Sequence, residues 1–271
     1  MSKPEKKLQQ RLYRYDREQR YLRKRSELDE VLEEVFDKLT LMTLYDLMNK
    51  GLIKEFYGVV SAGKESRIYL ARDRDLNYLA VKIYLVTSAE FKKNRVMYIS
   101  GDPRFKRIPS DFRNFIYLWA KREFSNLEAA YNVGVSVPKP LFVRNNILGM
   151  SFLGEDGRRY PTLAEVKLTR EELEEIYPQV INAVKKMYNE AKLVHGDLSE
   201  YNIFKLPNNS IAFIDLSQAV HVKQPQADQL LLRDLKNVIR FFKKNGLEVG
   251  ELESLFEEIT GRLPKYSLSE D

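Results

Sequence analysis

The chain has 271 residues, 44% hydrophobic and 31% charged, which at roughly 100–200 residues per domain describes one two-lobed domain or two small ones. It has no Cys and two His, which excludes disulfides, thiolate zinc sites and cysteine nucleophiles and leaves little for a His-based metal centre. The net charge of +6 invites a nucleic-acid reading, while no apolar run reaches the roughly 18 residues of a membrane helix and the charged N-terminus lacks a signal peptide's apolar stretch, so a cytoplasmic protein with no membrane partner is expected.

Residues 1–26 hold ten Lys/Arg against three acids, a net +7, interleaved with Tyr13, Tyr15 and Tyr21. They read as a basic, solvated arm. Leu28, Val31, Leu32, Val35, Phe36 and Leu39 recur at helical spacing and predict an amphipathic helix. Thr43 with Asp46 resembles a capping box and Gly51 a stop, giving a second helix over 44–50. From residue 53 the period becomes two, with strands at about 53–61, 66–72 and 78–84 and turns at Gly63-Lys64 and Asp73–Asn77. Residues 85–109 are polar and basic and read as a long mobile loop, a length that is uncommon inside a domain unless it is functional or disordered. The overlapping segment 92–114 carries a net +5, so the remaining residues sum to −6: the basicity sits in two segments on an acidic body. A helix is predicted over about 110–132, then a strand pair at 140–144 and 147–152. Gly154–Pro161 reads as a linker, and Thr169-x-x-Glu172 is a capping box that opens a helix to about 191. Short strands follow around 195–202, at 203–205 and at 211–214, and helices at about 226–244 and 249–260 close the chain. This order predicts an α+β protein of two lobes around a cleft: 1–52 an arm with helices, 53–153 β-rich, 154–271 mostly helical.

Three motifs carry chemistry. Gly58–Glu65 nearly matches a P-loop, but Glu65 replaces the Mg²⁺-binding hydroxyl and a strand follows where a P-loop opens a helix. A hairpin folded over nucleotide phosphates and a plain structural hairpin both remain open for it. Lys82, in Ala80-Val-Lys-Ile-Tyr84, is a mid-strand cation that needs a partner if its face is buried, or else is an exposed edge Lys. Glu123 in the following helix is a suitable carboxylate, and a strand Lys with a helix Glu is the pair that anchors ATP phosphates in kinases. In His195-Gly-Asp-Leu-Ser-Glu-Tyr-Asn202, Asp197 precedes Asn202 by five residues, the spacing of a kinase catalytic loop. Thirteen residues on, Asp215 ends a short apolar strand, where a carboxylate can face a metal. Each acid alone fits a cap or surface role; their joint order makes the catalytic reading the stronger one.

With Ser61-Ala-Gly-Lys-Glu-Ser66, His195–Asn202 and Ile214-Asp-Leu-Ser-Gln218, the chain resembles the RIO-type atypical serine/threonine protein kinases over about residues 25–260, and the Gly-Lys-Glu loop resembles the type-1 branch. Its length is similar to that of archaeal members. The resemblance implies an α+β, two-lobed, protein-kinase-like fold with a reduced C-terminal lobe, here with extra N-terminal helices. It implies ATP with Mg²⁺ or Mn²⁺ as cofactors, autophosphorylation or ATP hydrolysis, and action on the small ribosomal subunit precursor. Carried onto this chain, Asp197 is the catalytic Asp, Asn202 and Asp215 hold the metal, and Asp215 can take up phosphate as an aspartyl intermediate. Lys82 with Glu123 anchors the phosphates, which Ser61, Lys64 and Ser66 contact. Met150, Ser151 and Leu153 form the hinge against adenine, the last two through their backbone. Ser151 stands where members often have Glu, and Ser199 where a Lys is usual after the catalytic Asp. Only 56 residues follow Asp215, with no Ala-Pro-Glu string, so docking of ordinary peptide substrates is not expected. Thr87, Ser88, Ser100 and Ser110 mark a candidate self-phosphorylation region, and segments 1–26 and 92–114 are expected to face ribosomal RNA. Two alternatives are a small-molecule kinase of the aminoglycoside or choline type, which shares His-Gly-Asp-Leu-x-x-x-Asn, and an rRNA-binding module with weak ATPase.

Overall fold

The computed structural model describes residues 35–264, apart from 87, 88 and 106. The basic arm and most of the first expected helix lie outside the described residues, as do Thr87 and Ser88. Helix α1 runs over Lys38–Asn49, so the division between helices at 28–39 and 44–50 is corrected. The cap is Asp37, whose carboxylate accepts the N–H groups of Leu39 and Thr40 at 3.1 and 3.3 Å. Thr43 lies inside the helix and donates its hydroxyl to the Leu39 carbonyl at 2.8 Å.

Strands β1 (Glu55–Ala62), β2 (Ser66–Arg72), β3 (Tyr78–Tyr84), β4 (Pro140–Arg144) and β5 (Ile147–Ser151) form an antiparallel sheet in the order β1-β2-β3-β5-β4. Successive side chains of a strand point to opposite faces. Leu79, Val81 and Ile83 of β3 therefore share one face with Phe36, Leu44, Leu47 and Ile53, making a small core under α1. Lys82 and Tyr84 point the other way, toward helix α3 (Phe112–Asn132).

Residues 85–109 are not a continuous loop, because Ala89–Ile99 form helix α2. The segment has almost no apolar stripe, and tertiary bonds hold it in place. Lys92 donates to the carbonyls of Pro109 and Ser110 at 3.0 and 2.6 Å, and Arg95 pairs with Glu65 at 2.7 Å. Gln224 donates to the carbonyls of Tyr98 and Ser100, and Gln226 to that of Met97, satisfying acceptors at the end of the helix.

The predicted linker also has structure. Gly154–Glu155 (β6) pairs with Arg158–Arg159 (β7) around Asp156-Gly157, both at positive φ, which is the Asp-Gly turn of a tight hairpin. Beyond it, α4 (Arg170–Asn189) opens on the expected capping box: Glu172 N–H donates to Thr169 Oγ1 at 3.3 Å and Thr169 N–H to the Glu172 carboxylate at 2.9 Å. Strands β8 (Leu193–Val194), β9 (Ile203–Lys205), β10 (Ile211–Phe213) and β11 (Val220–His221) pair as β8–β11 and β9–β10. Helices α5 (Ala227–Lys244) and α6 (Leu252–Thr260) complete the helical part. Its core includes Ile176, Val180, Leu198, Phe213, Leu235 and Phe256, and continues through α3 to Tyr84 and Leu148. Among the described residues no helix is long and apolar enough to cross a membrane.

Candidate active site

A cavity of about 490 Å³ separates the sheet from the helical part, within the usual size range of small-molecule sites. Ser61, Ser66, Lys82, Met150 and Ser151 line it from the sheet, Leu153 from the segment just after β5, and Asn202 and Asp215 from the other side, with Glu123 behind Lys82. Lys64 is exposed beyond β1 and is not among the residues that line the cavity. Asp197 lies beside the lining and not in it.

Lys82 is 4% exposed, which an ammonium tolerates only with partners. Its Nζ lies 2.8 Å from Glu123 Oε1 and 3.0 Å from Asp215 Oδ1. The hydroxyl of Tyr84 donates to the other Glu123 oxygen. Burial pulls the Lys82 ammonium down, but Asp215 and Glu123 outweigh it and hold Lys82 well above its ordinary value. Burial raises Glu123, with Lys82 opposing. Asp215 is pushed up by desolvation, yet Lys82 and the Ser217 bond hold it well below the usual carboxylate range.

The loop carrying Asp197 is anchored from beneath. The buried carboxylate of Asp234 on α5 accepts the N–H groups of Gly196 and Leu198 at 2.7 and 2.9 Å. Asn237 donates to the Leu198 carbonyl at 3.1 Å and Arg233 to that of Gly196. Burial lifts Asp234 to about 7 against the pull of those two N–H bonds. Gly196 has φ +78°, and a Cβ there would stand 2.7 Å from the Gln218 carbonyl, so only glycine fits without strain. The buried His195 has Nε2 3.1 Å from the Ile214 carbonyl and donates to it; burial pushes the imidazole down to about 4, keeping it neutral. Asp197 Oδ2 accepts from Gln218 Nε2 at 3.0 Å, and the Asp197 carbonyl accepts from Asn202 Nδ2 at 2.7 Å. Desolvation and then the charge of Asp215 raise the Asp197 carboxyl, while Arg233 and Arg95 oppose.

The β9–β10 hairpin sets the two remaining residues. Ile203 pairs with Phe213, and Ile214 N–H donates to the Asn202 carbonyl at 3.0 Å, so Asn202 and Asp215 flank the open end of one hairpin. Asp215 adopts a left-handed conformation (φ +57°), which Asp tolerates better than most residues, and accepts from Ser217 N–H at 3.4 Å. Asn202 spends its amide nitrogen on the Asp197 carbonyl, which leaves Oδ1 as its acceptor atom, and both Asn202 and Asp215 line the cavity. Such a hard oxygen pair suits Mg²⁺ or Mn²⁺ that draws its other ligands from phosphates and water. Among the described residues, no group of three or more His, Cys, Asp or Glu could hold an ion by itself.

Sequence reasoning missed Tyr84, Arg122, Asn126 and Asp234. A signal existed for Asp234: it falls on the apolar stripe of Leu230, Leu231, Leu235 and Val238, where a carboxylate needs a reason to be. Arg122 likewise sits on the buried face of α3, with Trp119, Glu123 and Asn126.

The RIO domain family matches residues 67–255. The chain is 39% identical over 231 residues to the RIO-type serine/threonine-protein kinase Rio1 of Haloferax volcanii, covering 85% of this chain and 78% of that one. It is 39% identical over 229 residues to the Rio1 kinase of Methanocaldococcus jannaschii, covering 84% and 77%. Against serine/threonine-protein kinase RIO1 of Homo sapiens it is 35% identical over 231 residues, covering 84% of this chain and 40% of the human one. The Rio2 kinase of Chaetomium thermophilum, solved as an ADP/Mg²⁺-phosphoaspartate complex, shares the fold at a TM-score of 0.59 and 20% identity, over 82% of this chain and 67% of that one. The α+β architecture is therefore kinase-like, and the chain belongs to the RIO family of serine/threonine-protein kinases.

Proposed function

We propose that the chain transfers the γ-phosphoryl group of ATP with Mg²⁺ or Mn²⁺, phosphorylating itself or hydrolysing ATP, and that it serves maturation of the small ribosomal subunit. The observation that carries the chemistry is Lys82 held between Glu123 and Asp215 in a cavity that Asn202 also lines. In this reading Lys82, oriented by Glu123, neutralises the α/β-phosphates, and Ser61 and Ser66 approach the phosphate chain. Met150 packs against adenine, whose edge meets the backbone of Ser151 and Leu153. Asn202 and Asp215 hold the metal, which when bound neutralises charge on the β- and γ-oxygens. Asp197 orients the acceptor hydroxyl and takes its proton; its raised pKa suits a base. In the hydrolytic branch an Asp215 oxygen attacks the γ-phosphorus, the bond to the β–γ bridging oxygen breaks, ADP leaves, and water then cleaves the acyl phosphate. The phosphoaspartate of the Chaetomium thermophilum complex supports this branch by analogy of fold.

Labelled phosphate transfer from γ-labelled ATP tests the reading. Asp197→Asn should cut incorporation by about 10²–10⁴-fold and Asp215→Asn should abolish it, both with the fold intact, and undiminished incorporation in both would overturn it. For the ribosomal role, the arm over 1–26 is the stronger candidate for RNA contact. Four cations of 92–114 are already engaged: Lys92 with two carbonyls, Arg95 with Glu65, Arg104 with Asp102 and Arg113 with Asp37. Deleting 1–26 should weaken rRNA binding, flatten its salt dependence and spare ATP binding. Equal loss of both would refute that division of labour.

A further inference from the structure

Helix α3 presents more than Glu123 to the site. Arg122, fully buried, donates to the carbonyls of Ser217 and Ala219, the first at 2.7 Å. One turn on, the buried amide of Asn126 donates to the carbonyls of Leu216 and Ala219 at 2.9 and 3.2 Å. Four bonds thus tie α3 to the turn that immediately follows Asp215. These partners lie 90 to 97 residues from Arg122 and Asn126 in sequence.

The cation is itself balanced from the segment after α2. The buried carboxylate of Asp102 lies 3.8 Å from Arg122 Nε and is held by both Nε and a terminal nitrogen of Arg104, at 2.9 and 2.7 Å. Arg104 also donates to Asn126 Oδ1 at 2.8 Å. A continuous polar chain therefore runs Asp102–Arg104–Asn126–Leu216, with Arg122 beside it. A guanidinium is suited to this place because its planar fork can meet two carbonyls at once and stays charged when buried.

We propose that Arg122, with Asn126, is a positioning residue for phosphoryl transfer: it holds the 216–219 turn and thereby sets the left-handed backbone that aims the Asp215 carboxylate at the metal. The inference rests on the metal-binding role given to Asp215 above. The consequence is that one helix governs both halves of the phosphate site, Lys82 through Glu123 and Asp215 through Arg122. Groups that orient metal ligands commonly change metal affinity or activity by about 10–100-fold when removed.

The test is autophosphorylation of the full chain, titrated with Mg²⁺ at saturating ATP, well below the melting temperature of each variant. Arg122→Gln should raise the Mg²⁺ concentration for half-maximal rate by about 10-fold and lower kcat, with metal-free ADP affinity unchanged. Arg122→Lys keeps the charge but not the fork, and should restore little. Asn126→Ser, which leaves the buried cation and its counter-charge in place, should shift the Mg²⁺ midpoint in the same direction by a smaller factor. If Arg122→Gln does not fold, Asn126→Ser decides. Variants that fold and keep the wild-type Mg²⁺ midpoint, while Asp215→Asn is inactive, would overturn the inference. An active Asp215→Asn with wild-type Mg²⁺ dependence would instead overturn the assignment of Asp215.

Discussion

Replacing Lys82 by Met isolates the energetics of the buried ion pair. Met keeps most of the stem and removes the charge. In the native site Glu123 is 1% exposed; one carboxylate oxygen meets Lys82 and the other meets the Tyr84 hydroxyl. After the change only Tyr84 remains, and an unpaired buried charge typically costs about 3–5 kcal/mol. The lower end applies here, because Tyr84 stays bonded and the carboxyl can escape by protonation. The sign of the pH dependence follows. Burial raises Glu123 above its ordinary 4.5, and losing Lys82 raises it further. A carboxyl raised on folding carries no penalty below its unfolded value, a growing one as pH climbs from the unfolded to the folded value, and the full one above that. The deficit of Lys82→Met should therefore be larger at pH 8 than at pH 5. Lys82→Met with Glu123→Gln removes the unpaired Glu123 charge, leaving only the partly exposed Asp215 carboxylate without its cation, and should recover about 2 kcal/mol or more. Urea unfolding at the two pH values measures all four states of the cycle. A deficit independent of pH, or a double variant no more stable than the single, would refute the reasoning.

The other expectations are briefer. Asp197→Asn should lower phosphoryl transfer by about 10²–10⁴-fold with little change in ADP binding, the loss expected of a positioned proton acceptor; a fall in ADP affinity of the same size would argue for a structural role. By carboxyl NMR, Asp197 should titrate above 3.8 and move down in Asp215→Asn, since removing a like charge favours ionisation; an unmoved titration would refute the coupling. Asp234→Asn should destabilise by about 1–3 kcal/mol, because one of the Gly196 and Leu198 N–H groups loses its acceptor, and should lower kcat more than it raises the KM for ATP. Gly196→Ala forces a side chain into left-handed backbone, a cost of about 1–2 kcal/mol before the contact with Gln218 is counted, so thermal unfolding and activity should both suffer; an unchanged melting temperature would show that the loop adapts.

Most of the sheet was legible because period-two patterning and turn residues agree there. The strands over Ser66–Arg72 and Tyr78–Tyr84 match the expected spans, and the Thr169 cap fixes α4 by local bonds alone. Where local signals are weak, tertiary contacts decide. Helix α2 has no apolar stripe to announce it and is held by Glu65, Gln224 and Gln226, remote in sequence. The β6–β7 hairpin did have a signal, Asp156-Gly157, but strands of two residues leave no periodicity beside it. The cavity residues were legible as a spaced set, whereas the groups that hold them were not. Arg122 reaches its acceptors across 95 and 97 positions, a pairing that only the folded topology creates.

The β9–β10 hairpin works as a caliper. Asn202 and Asp215 stand at its open jaws, Asn202 facing Ile214 across the strands and Asp215 one residue further on, whereas the Pro207–Asn209 turn closes the far end and rests on α4 through Gln179 and Glu175. The separation of the two jaws depends on strand pairing next to them, not on how many residues the tip contains. The offset of thirteen from Asn202 to Asp215 is thus a property of this chain's tip length, and the gauge would read the same with a longer one. A short flexible insert between Asn208 and Asn209 should keep metal-dependent activity, which makes that tip the natural place to graft a reporter onto this enzyme without disturbing its chemistry.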